Sequence, residues 1–122
     1  MYQGKLKPLI WLASSKADLK RFPEIVQGHM GFALYQAQAG SKSHDAKPLK
    51  GLGTGVLEAV SRRDGDAYRA VYTVRFERAV YVLHVFQKKS KRGIATPKKE
   101  MDLVKQRLKA AQKYYEASYG KK

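Results

Sequence analysis

The chain has 122 residues, no cysteine, and 25 Lys and Arg against 10 Asp and Glu, a formal net charge of +15. Its length suits one domain over residues 1–122, and 43% hydrophobic with 29% charged residues places it among folded globular chains rather than disordered ones. The missing cysteines exclude disulfides and thiolate metal centres, and three scattered histidines (His29, His44, His84) give no reason to expect zinc or another cofactor, whereas the cationic excess calls for a polyanionic partner.

The chain does not open on a basic segment followed by a long apolar one, and its longest uncharged apolar run, residues 79–86, is far too short to span a bilayer. A cytoplasmic protein without a membrane partner is expected.

Residues 8–13, "PLIWLA", form a short apolar run with an aromatic and a β-branched residue and predict a buried first strand. Ser14 and Ser15 offer an N-cap, with Asp18 at the capping-box spacing from Ser15, for a short helix over 16–22 that must stop before Pro23. Pro23 then suits the first position of a second helix, which carries Ile25, Val26, Met30, Ala33, Leu34 and Ala37 along one face and ends at Gly40.

Residues 41–55, "SKSHDAKPLKGLGTG", collect turn formers and predict a loop carrying Lys47 and Lys50. The glycines of "GLGTG" lack the lysine of a phosphate-binding loop and read as turns. Strands are expected over 57–62 and 68–75, joined at the Asp64-Gly65 pair favoured in tight hairpins, with a third antiparallel strand over 79–87. After a polar link, Thr96 can cap and Pro97 can open a last helix whose apolar stripe is Met101, Val104, Leu108, Ala111 and Tyr115. The predicted fold is α+β: an N-terminal strand plus a three-strand meander, packed by two N-terminal helices and one C-terminal helix.

Cationic side chains gather on these strands. A two-residue turn at Asp64-Gly65 sets Arg63 opposite Asp66 and Val60 opposite Arg69, so period-two alternation puts Glu58, Arg62 and Arg69 on one face. Pairing Arg75 with Ala79 adds Gln87 and Lys89 to that face, the register we expect; a one-residue slip adds His84 and Lys88 instead. Residues 88–99 hold Lys88, Lys89, Lys91, Arg92, Lys98 and Lys99 without an acid.

Such a set suits phosphodiester chemistry on RNA. Guanidinium and ammonium groups stabilise charge on phosphoryl oxygens, and a base, either Glu58 or a lysine crowded by other cations, takes the proton of a neighbouring 2′-hydroxyl. Plainer readings stand beside it: an Arg69–Glu58 ion pair, a solvated lysine run, a hydrogen-bonded core histidine at His84, and packing roles for Tyr68, Tyr72 and Tyr81.

The stretches "PLKGLGTGVLEAVSRRDGDAYRAVYTV" and "AVYVLHVFQKKSKRGIATPKKEMDLVKQRLKAA" resemble the RelE/ParE toxin superfamily, particularly its phage-derived, HigB-like branch. The likeness covers about residues 8–115 and rests on the order of "LKGLG", "VLE", the Tyr68-Arg69-x-x-Tyr72 pattern and "FQKKS". Where RelE proteins have a paired basic run before the hairpin, Glu58 and Val60 stand here.

The resemblance implies a RelE-like fold and a type II toxin: a metal-independent endoribonuclease cutting messenger RNA at the ribosome, neutralised by a small helix-turn-helix antitoxin. It implies Arg69 as transition-state stabiliser and Lys89 as its partner on the phosphate; the strand geometry adds Lys88 and Glu58 to the candidate catalytic group. Lys50, Arg62, Lys91 and Arg92 are the expected RNA contacts. Two alternatives remain at this point: a ParE-like toxin that inhibits gyrase without cutting RNA, and a non-enzymatic module that binds nucleic acid by charge alone.

Overall fold

The computed structural model describes residues 5–88 and 96–120. The elements, in chain order, are β1 (Leu9–Trp11), α1 (Ser15–Lys20), α2 (Glu24–Gln38), β2 (Ala46–Pro48), β3 (Val56–Arg63), β4 (Asp66–Thr73), β5 (Val80–Lys88) and α3 (Lys98–Tyr119). They form one mixed sheet in the order β1-β5-β4-β3-β2, with β1 parallel to β5 and every other pair antiparallel.

The expected α+β plan holds, with one addition. The segment over 41–55 read as a loop contains β2, whose Ala46, Lys47 and Pro48 pair with Ala59, Glu58 and Leu57 at the sheet edge. A proline can sit there because an edge strand leaves one row of N–H groups unused.

Helices cover both faces. Val26, Met30, Ala33, Leu34 and Ala37 of α2, with Leu19 of α1, pack on Ala59, Ala70, Tyr72, Val80, Val82 and Val85. On the other face Val104, Leu108, Ala111 and Tyr115 of α3 pack on Val56, Val71, Tyr81, Leu83 and Phe86. Strands buried on both sides lose their polar alternation, which is why "VYVLHVF" is almost continuously apolar. Ile25 departs from the expected stripe of α2: it lies outside the core, 50% exposed.

Two local features set the geometry of the α3 face. The β3–β4 hairpin turns at Asp64 (φ 52°) and Gly65 (φ 85°), two consecutive positive angles that match the twist of the flanking strands, and Arg63 pairs with Asp66 as predicted. The β4–β5 ladder starts with Thr73 opposite Tyr81 and Tyr72 opposite Val82, in line with the Arg75–Ala79 pairing. Leu83 is then an extra residue, and from Val71–His84 onward the register is shifted by one.

This bulge corrects the expected register. Beyond it, Arg69 faces Phe86 and Ala67 faces Lys88, so His84 and Lys88, rather than Gln87, belong to the Arg69 face. Lys89, Lys91 and Arg92 lie outside the described residues.

The glycine-rich loop before β3 is wrapped around Arg75. Its guanidinium donates to the carbonyls of Leu52 and Thr54, the latter at 2.9 Å, while the Thr73 hydroxyl donates to the Gly55 carbonyl at 2.8 Å. A Cβ on Gly55 would lie 2.9 Å from the Arg75 Cα, so only glycine fits there. The loop delivers Leu49 and Lys50 to the site described next.

Candidate functional site

Register turns four strands into a grid on the α3 face. One row runs Lys47, Glu58, Val71, His84 across β2, β3, β4 and β5; the next runs Val60, Arg69, Phe86; the third runs Arg62, Ala67, Lys88. Ala67 keeps the third row low between its two cations, whose strands stand about 10 Å apart across two sheet spacings.

Arg69 occupies the centre of this grid and is 5% exposed. Its NH1 donates to Glu58 Oε1 at 2.8 Å, and the Thr96 hydroxyl, at the entry to α3, donates to Glu58 Oε2 at 2.9 Å. Arg69 Nε has no hydrogen-bond partner among the described residues. The carboxylate therefore holds one edge of the guanidinium while donor capacity remains on the other.

Above the pair lies a cleft of about 540 Å³, lined by Lys47, Leu49, Lys50, Glu58, Val60, Arg62, Arg69, Thr96 and Met101. Four cations line it against one carboxylate, which already has two partners. That balance favours an anionic occupant, and the low-dielectric walls of Val60, Leu49 and Met101 strengthen its attraction.

His84 is a hydrogen-bonded imidazole held beside this cleft rather than a member of it. Arg107 NH1 lies 2.9 Å from Nδ1, and since a guanidinium only donates, Nδ1 accepts; Nε2 then carries the proton and donates to Glu100 Oε1 at 2.6 Å. The ring stacks on Phe86, and Arg107 NH1 also donates to the Leu83 carbonyl at 3.0 Å, tying α3 to the bulge. The core-histidine reading is the one observed.

Of the sequence-predicted residues, Arg69, Glu58, Lys50 and Arg62 come together in the cleft, and Lys88 shares their face from the end of β5. Tyr68, Tyr72 and Tyr81 are buried in the core; burial pushes the Tyr72 phenol up to about 12 and, with Tyr119 and Tyr115 adding to it, raises that of Tyr81. Lys105, Lys109 and Lys113 form the exposed face of α3.

Three residues escaped the sequence reading. Lys47 was hidden because "AKP" looks like loop. Thr96 reads as an N-cap, yet its hydroxyl turns to Glu58 and Pro97 takes the cap position. Arg107 had a usable signal: it follows Glu100 by seven residues, two turns along α3, so the two flank His84 from one side of the apolar stripe.

Residues 17–109, from α1 to the middle of α3 and including every cleft residue, match the family model described as Phage derived protein Gp49-like (DUF891). No curated protein matches the chain. Among solved structures it is similar, at 21% identity and a TM-score of 0.42, to a chain in the crystal structure of the toxin-antitoxin complex RelBE2 from Mycobacterium tuberculosis, over 74% of this chain and 100% of that one. The match over three quarters of its length shows that the chain belongs to the phage-derived Gp49-like family.

Proposed function

We propose that this protein is the toxin of a type II toxin-antitoxin module and acts in the cytoplasm as an endoribonuclease on messenger RNA held at the ribosome. The observation that carries the reading is the buried Arg69 guanidinium at the floor of a cationic cleft, paired on one side only and backed by Glu58.

In this mechanism a phosphodiester enters the cleft and its non-bridging oxygens take donors from Arg69, with Lys88 and Arg62 at its flanks. Glu58 accepts the proton of the adjacent 2′-hydroxyl, whose oxygen attacks phosphorus as the bond to the 5′-oxygen breaks. The leaving 5′-oxygen takes a proton from solvent, so the products are a 2′,3′-cyclic phosphate and a 5′-hydroxyl end, and the RNA supplies its own nucleophile. Lys47 and Lys50 hold the strand against the rim. The net charge of +15 favours ribosomal RNA as the docking surface and an acidic segment of a helix-turn-helix antitoxin as its competitor.

The test is induction of the toxin in growing cells, with RNA ends mapped before and after. Cleavage within translated messages, leaving 5′-hydroxyl ends and abolished by Arg69→Ala, is expected. Toxicity that survives Arg69→Ala and Lys88→Ala with intact transcripts and stalled replication would replace this mechanism with gyrase inhibition. Salt-sensitive RNA binding without any cleaved end on translating ribosomes would reduce the protein to a binding module.

A further inference from the structure

β2 is shorter than β3, and the mismatch leaves a second site. Pairing stops at Ala46–Ala59; one more bond runs from the Val60 N–H to the Asp45 carbonyl at 3.3 Å, and beyond it the edge of β3 is open. A cleft of about 360 Å³ occupies that corner, lined by His29, His44, Asp45, Lys47, Ser61 and Arg62. Lys47 and Arg62 also line the Arg69 cleft, so the two depressions adjoin across the strand edge.

The corner is built for an anion. His29 reaches it from α2, and its Nδ1 lies 2.8 Å from the hydroxyl of the buried Ser61, which fixes the exposed ring. His44 arrives from the segment before β2. Neither Lys47 nor Arg62 makes an ion pair with a described residue, and Asp45 is the one carboxylate in the lining. The lysine and arginine repel a metal ion, and among the described residues no group of three His, Cys, Asp or Glu side chains could hold one.

We propose that this second cleft binds the backbone phosphate of a nucleotide flanking the scissile one, so that single-stranded RNA runs from Arg69 past Arg62 and Lys47 to the two imidazoles. The inference rests on the RNA reading of the Arg69 cleft and adds the direction and length of the bound strand. A phosphate there receives imidazole N–H, ammonium and guanidinium donors, contacts that position a strand without reading its bases.

The test compares two uncleavable 2′-O-methyl RNAs: a dinucleotide with a single phosphate, followed by NMR shift perturbation, and a decanucleotide, followed by fluorescence anisotropy. The paired variant His29→Gln, His44→Gln leaves the core untouched and keeps a hydrogen-bonding group for Ser61. It is expected to weaken decanucleotide binding about tenfold while dinucleotide binding is unchanged, and the decanucleotide alone should shift the two imidazole resonances. Unchanged decanucleotide affinity, or an equal loss for both RNAs, overturns the second site. Arg69→Ala is expected to weaken both RNAs; if it weakens neither while the histidine pair still costs decanucleotide binding, the Arg69 reading fails and the second phosphate site stands.

Discussion

Removing Glu58 tests the centre of the site directly. Its carboxylate and the Arg69 guanidinium are 10% and 6% exposed as side chains and 2.8 Å apart. At an effective dielectric of about 20 and charge centres about 4 Å apart, their attraction is about 4 kcal/mol. The Thr96 hydroxyl bond to the same carboxylate contributes about 1.5 kcal/mol more. Glu58→Leu therefore strands a buried cation and should cost about 3–5 kcal/mol. Arg69→Met should cost about 3 kcal/mol, because the orphaned carboxylate can protonate. The double variant restores an apolar pair of similar volume and should lose under about 1 kcal/mol. Urea unfolding reads this as midpoint drops of about 2–3 M for Glu58→Leu and about 2 M for Arg69→Met, taking a slope of about 1.5 kcal/mol/M, against a drop of less than about 1 M for the double. If the single costs are each below about 1 kcal/mol and simply add in the double variant, the two groups are not the coupled buried pair described here. The double variant carries a further consequence for function: folded and stable, it should be non-toxic.

Three other substitutions probe the elements that position the site. Arg107→Met removes the donor to the Leu83 carbonyl and His84 Nδ1, and should cost about 2–3 kcal/mol in urea unfolding; because the bulge it ties sets the Lys88 register, RNA cleavage should fall as well, with partial recovery in Arg107→Lys. Gly55→Ala should cost about 3 kcal/mol, from a φ of +82° and a Cβ clash with the Arg75 backbone, whereas Gly51→Ala, at φ +90° in open space, should cost only about 1 kcal/mol; equal thermal shifts would refute the packing argument. Tyr72→Phe deletes a buried hydroxyl that has no hydrogen-bond partner among the described residues and should be neutral or stabilising by up to about 1 kcal/mol. Since the folded state raises the Tyr72 phenol to about 12, its contribution is full below about pH 10 and is lost as pH rises toward 12; denaturation midpoints across that window should fall less steeply in Tyr72→Phe than in the parent chain.

The parts of the site legible in the sequence are those specified locally. Asp64-Gly65 dictates a two-residue turn, and from that turn alone the positions of Glu58, Val60, Arg62 and Arg69 follow by alternation. The stripe of α3 is equally local. What escaped depends on residues distant in sequence. Nothing in "YVLHVF" marks Leu83 as an extra residue; the side chain that ties the bulge is Arg107 on another element, donating to its carbonyl. Lys47 belongs to the site only because three residues around it find an edge to pair with, and a three-residue strand containing proline has no periodicity to detect. Ile25 fits the apolar period of α2 but sits at its first turn, beyond the reach of the sheet.

The cost of this arrangement argues for its use. A buried arginine–glutamate pair gives little net stability compared with two apolar side chains, yet losing either partner is damaging, so such a pair is a poor solution to packing alone. Here it lies under a cleft of further cations, with Thr96 holding the second carboxylate oxygen and Arg69 Nε unpaired among the described residues. On the ribonuclease reading these features are one device. An entering phosphate competes with Glu58 for the guanidinium, and each donor that Arg69 transfers to the phosphate leaves Oε1 less satisfied and more basic, at the moment when a 2′-hydroxyl arrives to be deprotonated. Binding of the substrate and activation of the base are then coupled through a single side chain, and the carboxylate is silent while the cleft is empty. Glu58→Gln separates the two roles: the amide still holds the guanidinium and the Thr96 hydroxyl, so RNA affinity should be retained while cleavage falls by about 10²–10⁴-fold, the range of a lost general base. Equal cleavage by the parent chain and Glu58→Gln would leave Arg69 in place and move the base to Lys88.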